Sequence, residues 1–432
     1  MKNLSAYIMF CFSVLLIQTQ QIVQAQTKIS KIDSLMRFCY ENGAFNGTIL
    51  VVENGEMIYH NALGFANLHS GEPLKNNSAF YLGSVSKQFT AMAIMILKEQ
   101  NKLSYSDKFV KYFPEFPEYT NQITIKHLLT HTSGLTDYYE LGAFRSGFTN
   151  DDVLKVMLQQ PSLDFTPGEK YHYSNSAYVL LSMVVEKVSG LSFKTFMEEN
   201  VFHPLGMNST FVYDESMPKI KNRVIGYNLI GEVDDYNAFT TGGGGMYSTT
   251  RDLLLWDQAL NSNKLVSQDV LDEAFTPMIL NDGTASNYGH GWMIEYTGQN
   301  KSVFHTGGLA GFRTNVFKDL KNRSSITMLS NMGEANALKS ISRAIQAILS
   351  NSSTNELHLP VSLKLFKLSE GNAIERVIET YHELKKTDKD GFDLSEKQLN
   401  SLGYMLLMKK RDQDAMAIFR LNFELNPKVI NP

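Results

Sequence analysis

Strand signals stand at both ends of the first 350 residues, with helix signals between them, and this arrangement limits the fold more than any other feature. "GTILVVENGEMIYHNALGFAN" (47–67) gives two β-rich runs around Asn54-Gly55. That dipeptide predicts a tight hairpin, because both central residues must adopt positive φ. Strand signals return over 288–331 as a meander: "YGHGWMIEY", "KSVFHTG", "FRTNVFKD" and "SSITMLSN". Between them, about 105–240, lie short helical segments split by loops that hold Pro114, Pro117, Pro161 and Pro167. Further helices are predicted over 28–42, from Ser84 to about Gln100, over 249–260 and over 335–350. The expected class is α+β: an antiparallel β-sheet flanked by helices, with an inserted all-helical lobe. A cleft between sheet and lobe is the natural place for a site.

The ends of the chain read differently. Lys2, an apolar run from Leu4 to Ile17 and the small-residue site Val23-Gln24-Ala25 form a secretory signal over 1–25. Export to the periplasm or the medium is therefore expected, with no stable membrane span, because the run is shorter than the ~20 residues a spanning helix needs. Of the two cysteines, Cys11 leaves with the signal, so the mature chain makes no internal disulfide. Cys39, beside Ile32, Leu35 and Met36, is read as a buried thiol. A formal charge of −4, with Lys and Arg scattered, gives no footprint for nucleic acid. Residues 26–350 are assigned to one domain and 351–365 to a linker. Over 366–432, Leu399, Leu402, Gly403, Ala415, Phe419 and Pro427 fall on the spacing of one tetratricopeptide repeat. A single repeat cannot bury its own face. A cap docked on the preceding domain and a module for a protein partner both remain open for it.

Chemistry centres on "YLGSVSKQFTAM" (81–92). Residues three apart on a helix share a face, so Ser84 and Lys87 meet if a helix starts near Ser84. A desolvated lysine is neutral enough to take the proton of a serine. The alternative is a serine cap beside a solvated lysine. Ser-x-x-Lys alone decides little, since average composition yields it about once or twice in such a chain. It recurs at Ser216 and Lys219, with Pro218 between and no helix following. Company matters more. Tyr173-Ser174-Asn175 stands between a Pro-Gly turn and a helix, where a phenol can relay a proton. His305-Thr306-Gly307-Gly308 ends a strand, where glycines let substrate backbone approach.

Taken together and in this order, Ser84-x-x-Lys87, Tyr173-x-Asn175 and His305-Thr306-Gly307 resemble the three motifs of the serine β-lactamase and penicillin-binding-protein superfamily, nearest its class C-like group. "LLTHTSGL" (128–135), "PGEKYHYSN" (167–175), "GGGGMYSTTRDLLLW" (242–256) and "YGHGW" (288–292) are similar to the same family. The resemblance covers about 30–350. It implies an exported serine hydrolase, D,D-peptidase-like, esterase-like or β-lactamase-like, acting through an acyl-enzyme on a small-molecule or peptide substrate without a cofactor. Ser84 would be the nucleophile, with Lys87 and Tyr173 sharing the proton work. Asn175, His305, Thr306 and Gly307 would bind substrate, and the N–H groups of Ser84 and Gly308 would form the oxyanion hole. One departure stands out: many relatives have lysine where this chain has His305, and histidine is mostly neutral at pH 7.

Other candidates are weaker. His127 and His131 are four apart, but no glutamate or third ligand accompanies them, so no metal is expected. The Gly242–Gly245 run lacks a phosphate-loop ending and reads as a tight backbone passage near the site. Tyr288 and Trp292 read as packing residues. The competing functional class is a catalytically silent relative that binds a ligand or partner through its cleft or its helical tail.

Overall fold

The computed structural model describes residues 26–214, 220–352, 357–387 and 391–427. The expected leader and the second Ser-x-x-Lys copy lie outside them. The chain forms two compact units: Asn46–Gly55 with His60–Leu338, and the described parts of the remainder.

The larger unit is built on a six-stranded sheet. Its strands run in the order Glu56–Leu63, Asn46–Glu53, Ser324–Met332, Phe312–Asp319, Asn300–Leu309, Met293–Thr297. Every pairing from Asn46–Glu53 to Met293–Thr297 is antiparallel. The predicted turn is present, with φ of 54° at Asn54 and 84° at Gly55. The middle of the chain supplies the helices Ile125–Leu129, Asn150–Leu158, Asn175–Ser189 and Phe193–Met197. It is not purely helical, because Phe211–Val212 pairs with Met246–Ser248.

One helix, Ser86–Glu99, runs through the core, with every residue from Ser86 to Leu97 buried. It starts later than the periodicity predicts. Gly83–Val85 forms a 3₁₀ turn first, opened by Gly83 at φ 55°. Side chains three apart eclipse on such a turn, so the change brings Ser84 and Lys87 closer together. The helix Asn175–Ser189 packs against this core helix. Ser174 caps it by accepting from the Ala177 N–H, and Gly190 ends it at φ 76°. The Ser174 cap makes Asn175 the first helical residue.

The smaller unit holds a helix over 26–41 and the helices Ala335–Leu349, Val361–Ser369, Ile374–Thr387, Glu396–Met408 and Asp412–Leu425. Where the sequence reads as a linker, the strand Leu359–Pro360 and the start of a helix are found. The C-terminal helices are tied to the first helix: Lys364 Nζ donates to Asn42 Oδ1 at 2.7 Å and Lys367 Nζ to the Glu41 carbonyl at 3.0 Å. Gly403 lies under the Phe419 ring, where a Cβ would come within 2.4 Å of a ring carbon. Cys39 is fully buried, and burial pushes its thiol up to about 12.

The sheet of the larger unit carries a buried ion pair. Lys318 Nζ, on Phe312–Asp319, lies 2.8 Å from Asp257 Oδ1, on the helix Thr250–Ala259. Both side chains are buried, so removing one partner leaves a desolvated charge. Lys318→Met is expected to lower unfolding free energy by about 3 kcal/mol, and Lys318→Met with Asp257→Leu to recover most of the loss. Urea melts of the two variants check this.

Candidate active site

Lys87 is fully buried, with no carboxylate among its hydrogen-bond partners. Burial drags its ammonium down to about 7, with Asp137 pulling weakly the other way. Its Nζ has three neighbours: Asn175 Oδ1 at 2.7 Å, the Gly243 carbonyl at 2.7 Å and Ser84 Oγ at 3.2 Å. Two of these only accept. A neutral amine has two N–H bonds and one lone pair, so donating to both leaves the lone pair facing Ser84.

That count depends on which way the Asn175 amide points, and Asp137 fixes it. Asn175 Nδ2 donates to Asp137 Oδ2 at 3.1 Å, which turns Oδ1 towards Lys87. The Asn175 backbone N–H donates to the same oxygen. Asp137 is buried. Sequence reading passed over it, since one acid between a turn and two tyrosines carries no periodic signal. The glycine run is the close passage predicted: Gly243 offers its carbonyl to Lys87, and Gly242 offers its own to Thr90 Oγ1 at 2.8 Å.

Tyr173 completes the group around Ser84. Lys87 Nζ lies 4.7 Å from its ring centroid. Burial drives the phenol well above its usual range, and a hydrogen bond with Ser84 acts against that. The phenol is thus protonated at neutral pH and not a resident phenolate. His131 packs on the same ring at 4.3 Å and accepts from the Ser174 N–H at 3.0 Å, with its backbone at φ 56°. His127 serves elsewhere, accepting from the Thr124 N–H to cap Ile125–Leu129. The pair therefore acts in packing and capping.

The strand Asn300–Leu309 passes beside Ser84. Its neighbour Met293–Thr297 pairs with it only as far as Phe304, so residues 305–309 keep an unpaired edge. The two-residue turn Ala310-Gly311 makes Leu309 and Phe312 the bonded pair. Alternation along the ladder then turns the Gly308 N–H to the open edge. The strand approaches the serine turn closely. A Cβ on Gly307 would lie 2.1 Å from the Leu82 carbonyl and 3.0 Å from the Ser84 nitrogen, and one on Gly83 would lie 2.8 Å from the Gly308 nitrogen. Two backbone donors, Ser84 N–H and Gly308 N–H, are thereby brought beside one hydroxyl.

His305 is placed otherwise than its motif position implies. Its ring is buried, with Nδ1 on the Thr306 carbonyl at 2.7 Å and Nε2 on Tyr288 Oη at 2.9 Å. Burial lowers it to about 3, with Lys87 adding to the effect, so it is neutral. Tyr288, read from sequence as packing, is its partner. The open cleft, about 350 Å³, is walled by Tyr81, Tyr138, Tyr139, Tyr173 and Leu309, with Ser84 and Gly308 in its lining. His305, Thr306 and Gly307 are outside that lining. Glu140, Asp164 and His172 bring ligand atoms within 4.8 Å of one another.

Residues 21–348 match the family described as Beta-lactamase. A penicillin-binding protein of Bacillus subtilis is 36% identical over 336 residues, which cover 72% of this chain and 73% of the relative. The crystal structure of a penicillin-binding protein from Bacillus halodurans is similar at TM-score 0.65 and 26% identity, covering 73% of this chain and 98% of that one. The octameric penicillin-binding protein homologue from Pyrococcus abyssi shares the fold at TM-score 0.68 and 24% identity, covering 75% and 78%.

If Asp137 sets the amide of Asn175, then Asp137→Ala frees it to turn its N–H₂ towards Lys87. The loss of one charge-assisted hydrogen bond, ~1.5–3 kcal/mol, corresponds to a fall of about 10- to 100-fold in turnover. Steady-state kinetics on a short-chain p-nitrophenyl ester, alongside a thermal melt, separates that fall from unfolding.

Proposed function

The chain belongs to the β-lactamase family, and from that premise we propose that it is an exported serine hydrolase forming a covalent acyl-enzyme on an amide or ester. The observation that carries the reading is the buried Lys87 Nζ 3.2 Å from Ser84 Oγ, with two other partners that can only accept. Export is supported by the leader-like residues 1–25.

In the proposed reaction, Ser84 Oγ attacks the substrate carbonyl carbon and its proton passes to Lys87 Nζ. The carbonyl oxygen becomes an oxyanion between the N–H groups of Ser84 and Gly308; losing one such donor costs about 3 kcal/mol. As the C–N or C–O bond breaks, the leaving group takes the proton from Lys87, with the Tyr173 hydroxyl as relay. Water then attacks the ester carbonyl at Ser84, losing its proton to the same amine, which returns it to Ser84 Oγ as that bond breaks and the acid product leaves. Lys87 is the base in this scheme and Tyr173 the carrier, because burial moves the lysine towards neutrality and the phenol away from ionisation.

Within the family's range, the third motif favours esterase-like chemistry over strong β-lactamase activity, and D,D-peptidase-like chemistry would need its carboxylate partner elsewhere, for example Arg313 beside Gly308. A permanent cation for a substrate carboxylate is missing at the third motif, where His305 is neutral and turned inward. The walls are phenols and an aliphatic side chain, which suit an uncharged acyl group.

A fluorescent penicillin or fluorophosphonate is expected to label the wild-type protein and not Ser84→Ala; equal labelling of both removes Ser84 from the reaction. The acylation rate is expected to rise with pH along a limb centred at about 7, as Lys87 loses its proton. His305, lowered to about 3, contributes no limb near neutrality. A rate that stays flat through that limb in stopped-flow acylation would count against Lys87 as the base.

A further inference from the structure

A second cavity, about 740 Å³, lies in the larger unit along the last turn of the core helix and has no part in the scheme above. Its lining includes His290, 3% exposed, whose Nδ1 has no hydrogen-bond partner among the described residues. Tyr105, in the same lining, has its hydroxyl buried and equally without a partner. The two rings meet edge to face at 4.9 Å. Two polar groups so buried cost free energy unless something bonds them, and a ligand of the right chemistry removes that cost.

The rim of the cavity states the chemistry. It carries Lys98 and Lys126 together with Asp269, Asp272 and Glu273. Lys98 and Glu273 satisfy each other at 3.0 Å. Among the described residues no salt bridge engages Lys126, Asp269 or Asp272, so one cation and two acids face the opening without an ionic partner. Both signs at one mouth, over a floor of neutral hydrogen-bonding groups, match a ligand with both an ammonium and a carboxylate. The volume is that of a drug-sized pocket and exceeds what a single small amino acid fills.

We propose that this cavity is a second binding site, taking a short zwitterionic peptide with its carboxylate towards Lys126 and its ammonium towards Asp269 and Asp272. The segment that carries His290 here also carries Tyr288, which bonds His305, and Gly291, where a Cβ would lie 2.8 Å from the Lys87 carbonyl. Occupancy is therefore in direct mechanical contact with the backbone that bears Lys87.

Calorimetric titration of the full chain with trialanine tests the assignment, using its N-acetyl and C-terminal amide forms as controls. Trialanine is expected to bind, and each blocked form, lacking one charge, to bind about tenfold more weakly, the scale of one exposed-to-half-buried ionic contact. Lys126→Met and Asp272→Asn, both at exposed positions, are expected to weaken trialanine by a similar factor, and Asn175→Ala in the cleft to leave it unchanged. His290→Phe, which fills the floor, is expected to abolish it. Binding lost in Asn175→Ala and retained in Lys126→Met assigns the heat to the cleft and overturns the proposal. So does the absence of binding, or blocked forms that bind as well as the zwitterion. None of these outcomes depends on Ser84 being a nucleophile.

Discussion

A lysine with no access to water, held between two groups that can only accept hydrogen bonds, sets the terms for the rest of the site. Solvation would favour the ammonium, and burial removes solvation. What remains is an amine whose two hydrogens are committed to Asn175 and Gly243 and whose lone pair has one neighbour, Ser84. Each commitment is imposed from elsewhere in the unit. Asp137 orients the Asn175 amide, the Ser174 cap sets where that helix begins, and the glycine run lets a backbone carbonyl come within reach. The site is built from local rules of capping, close approach and amide orientation, applied where three chain segments converge.

The sheet contributes through what it leaves unpaired. Had Met293–Thr297 continued beside 305–309, the Gly308 N–H would be consumed in a ladder bond. Ending that pairing at Phe304 frees an edge at the point where the strand grazes the serine turn. Glycine is required at two of the closest approaches, 83 and 307, because a Cβ on either would occupy backbone. Position 83 carries a second requirement, a positive φ that starts the 3₁₀ turn and eclipses Ser84 with Lys87.

Much of this was legible in the sequence, for identifiable reasons. The hairpin at Asn54-Gly55, the meander after 288 and the helices at 86, 150, 175 and 250 all follow from period and turn chemistry. Ser84, Lys87, Tyr173, Asn175, Gly307 and Gly308 were singled out because their motifs occur in order, and the fold brings them close together. Asp137 was assigned no role and Tyr288 only packing, because a single acid or phenol acquires meaning only from a partner distant along the chain. The stretch from 351 misled in a different way. Ser, Asn and Thr before Pro360 have the composition of a linker, yet Pro360 stands at the N-cap of the helix Val361–Ser369. His305 was placed on the substrate edge by its motif, and only packing against Tyr288 reveals that the ring turns inward.

The inward turn of His305 bears on what the cleft can recognise. A lysine at this place would keep its charge by reaching solvent or a substrate carboxylate. An imidazole can instead lose its charge and satisfy both nitrogens within the protein, on Tyr288 and on the Thr306 carbonyl. The cleft then holds one titratable cation, Lys87, which must itself be uncharged to work. With Lys87 neutral, the fixed positive charge beside the cleft is Arg313, whose side chain flanks Gly308. Selectivity then rests on that charge, on the shape set by Tyr81, Tyr138, Tyr139 and Leu309 and on the backbone of the free strand edge. In the proposed scheme the burial that suits Lys87 to act as a base also removes its charge from the cleft, so any attraction for an anionic substrate would fall to Arg313 beside Gly308.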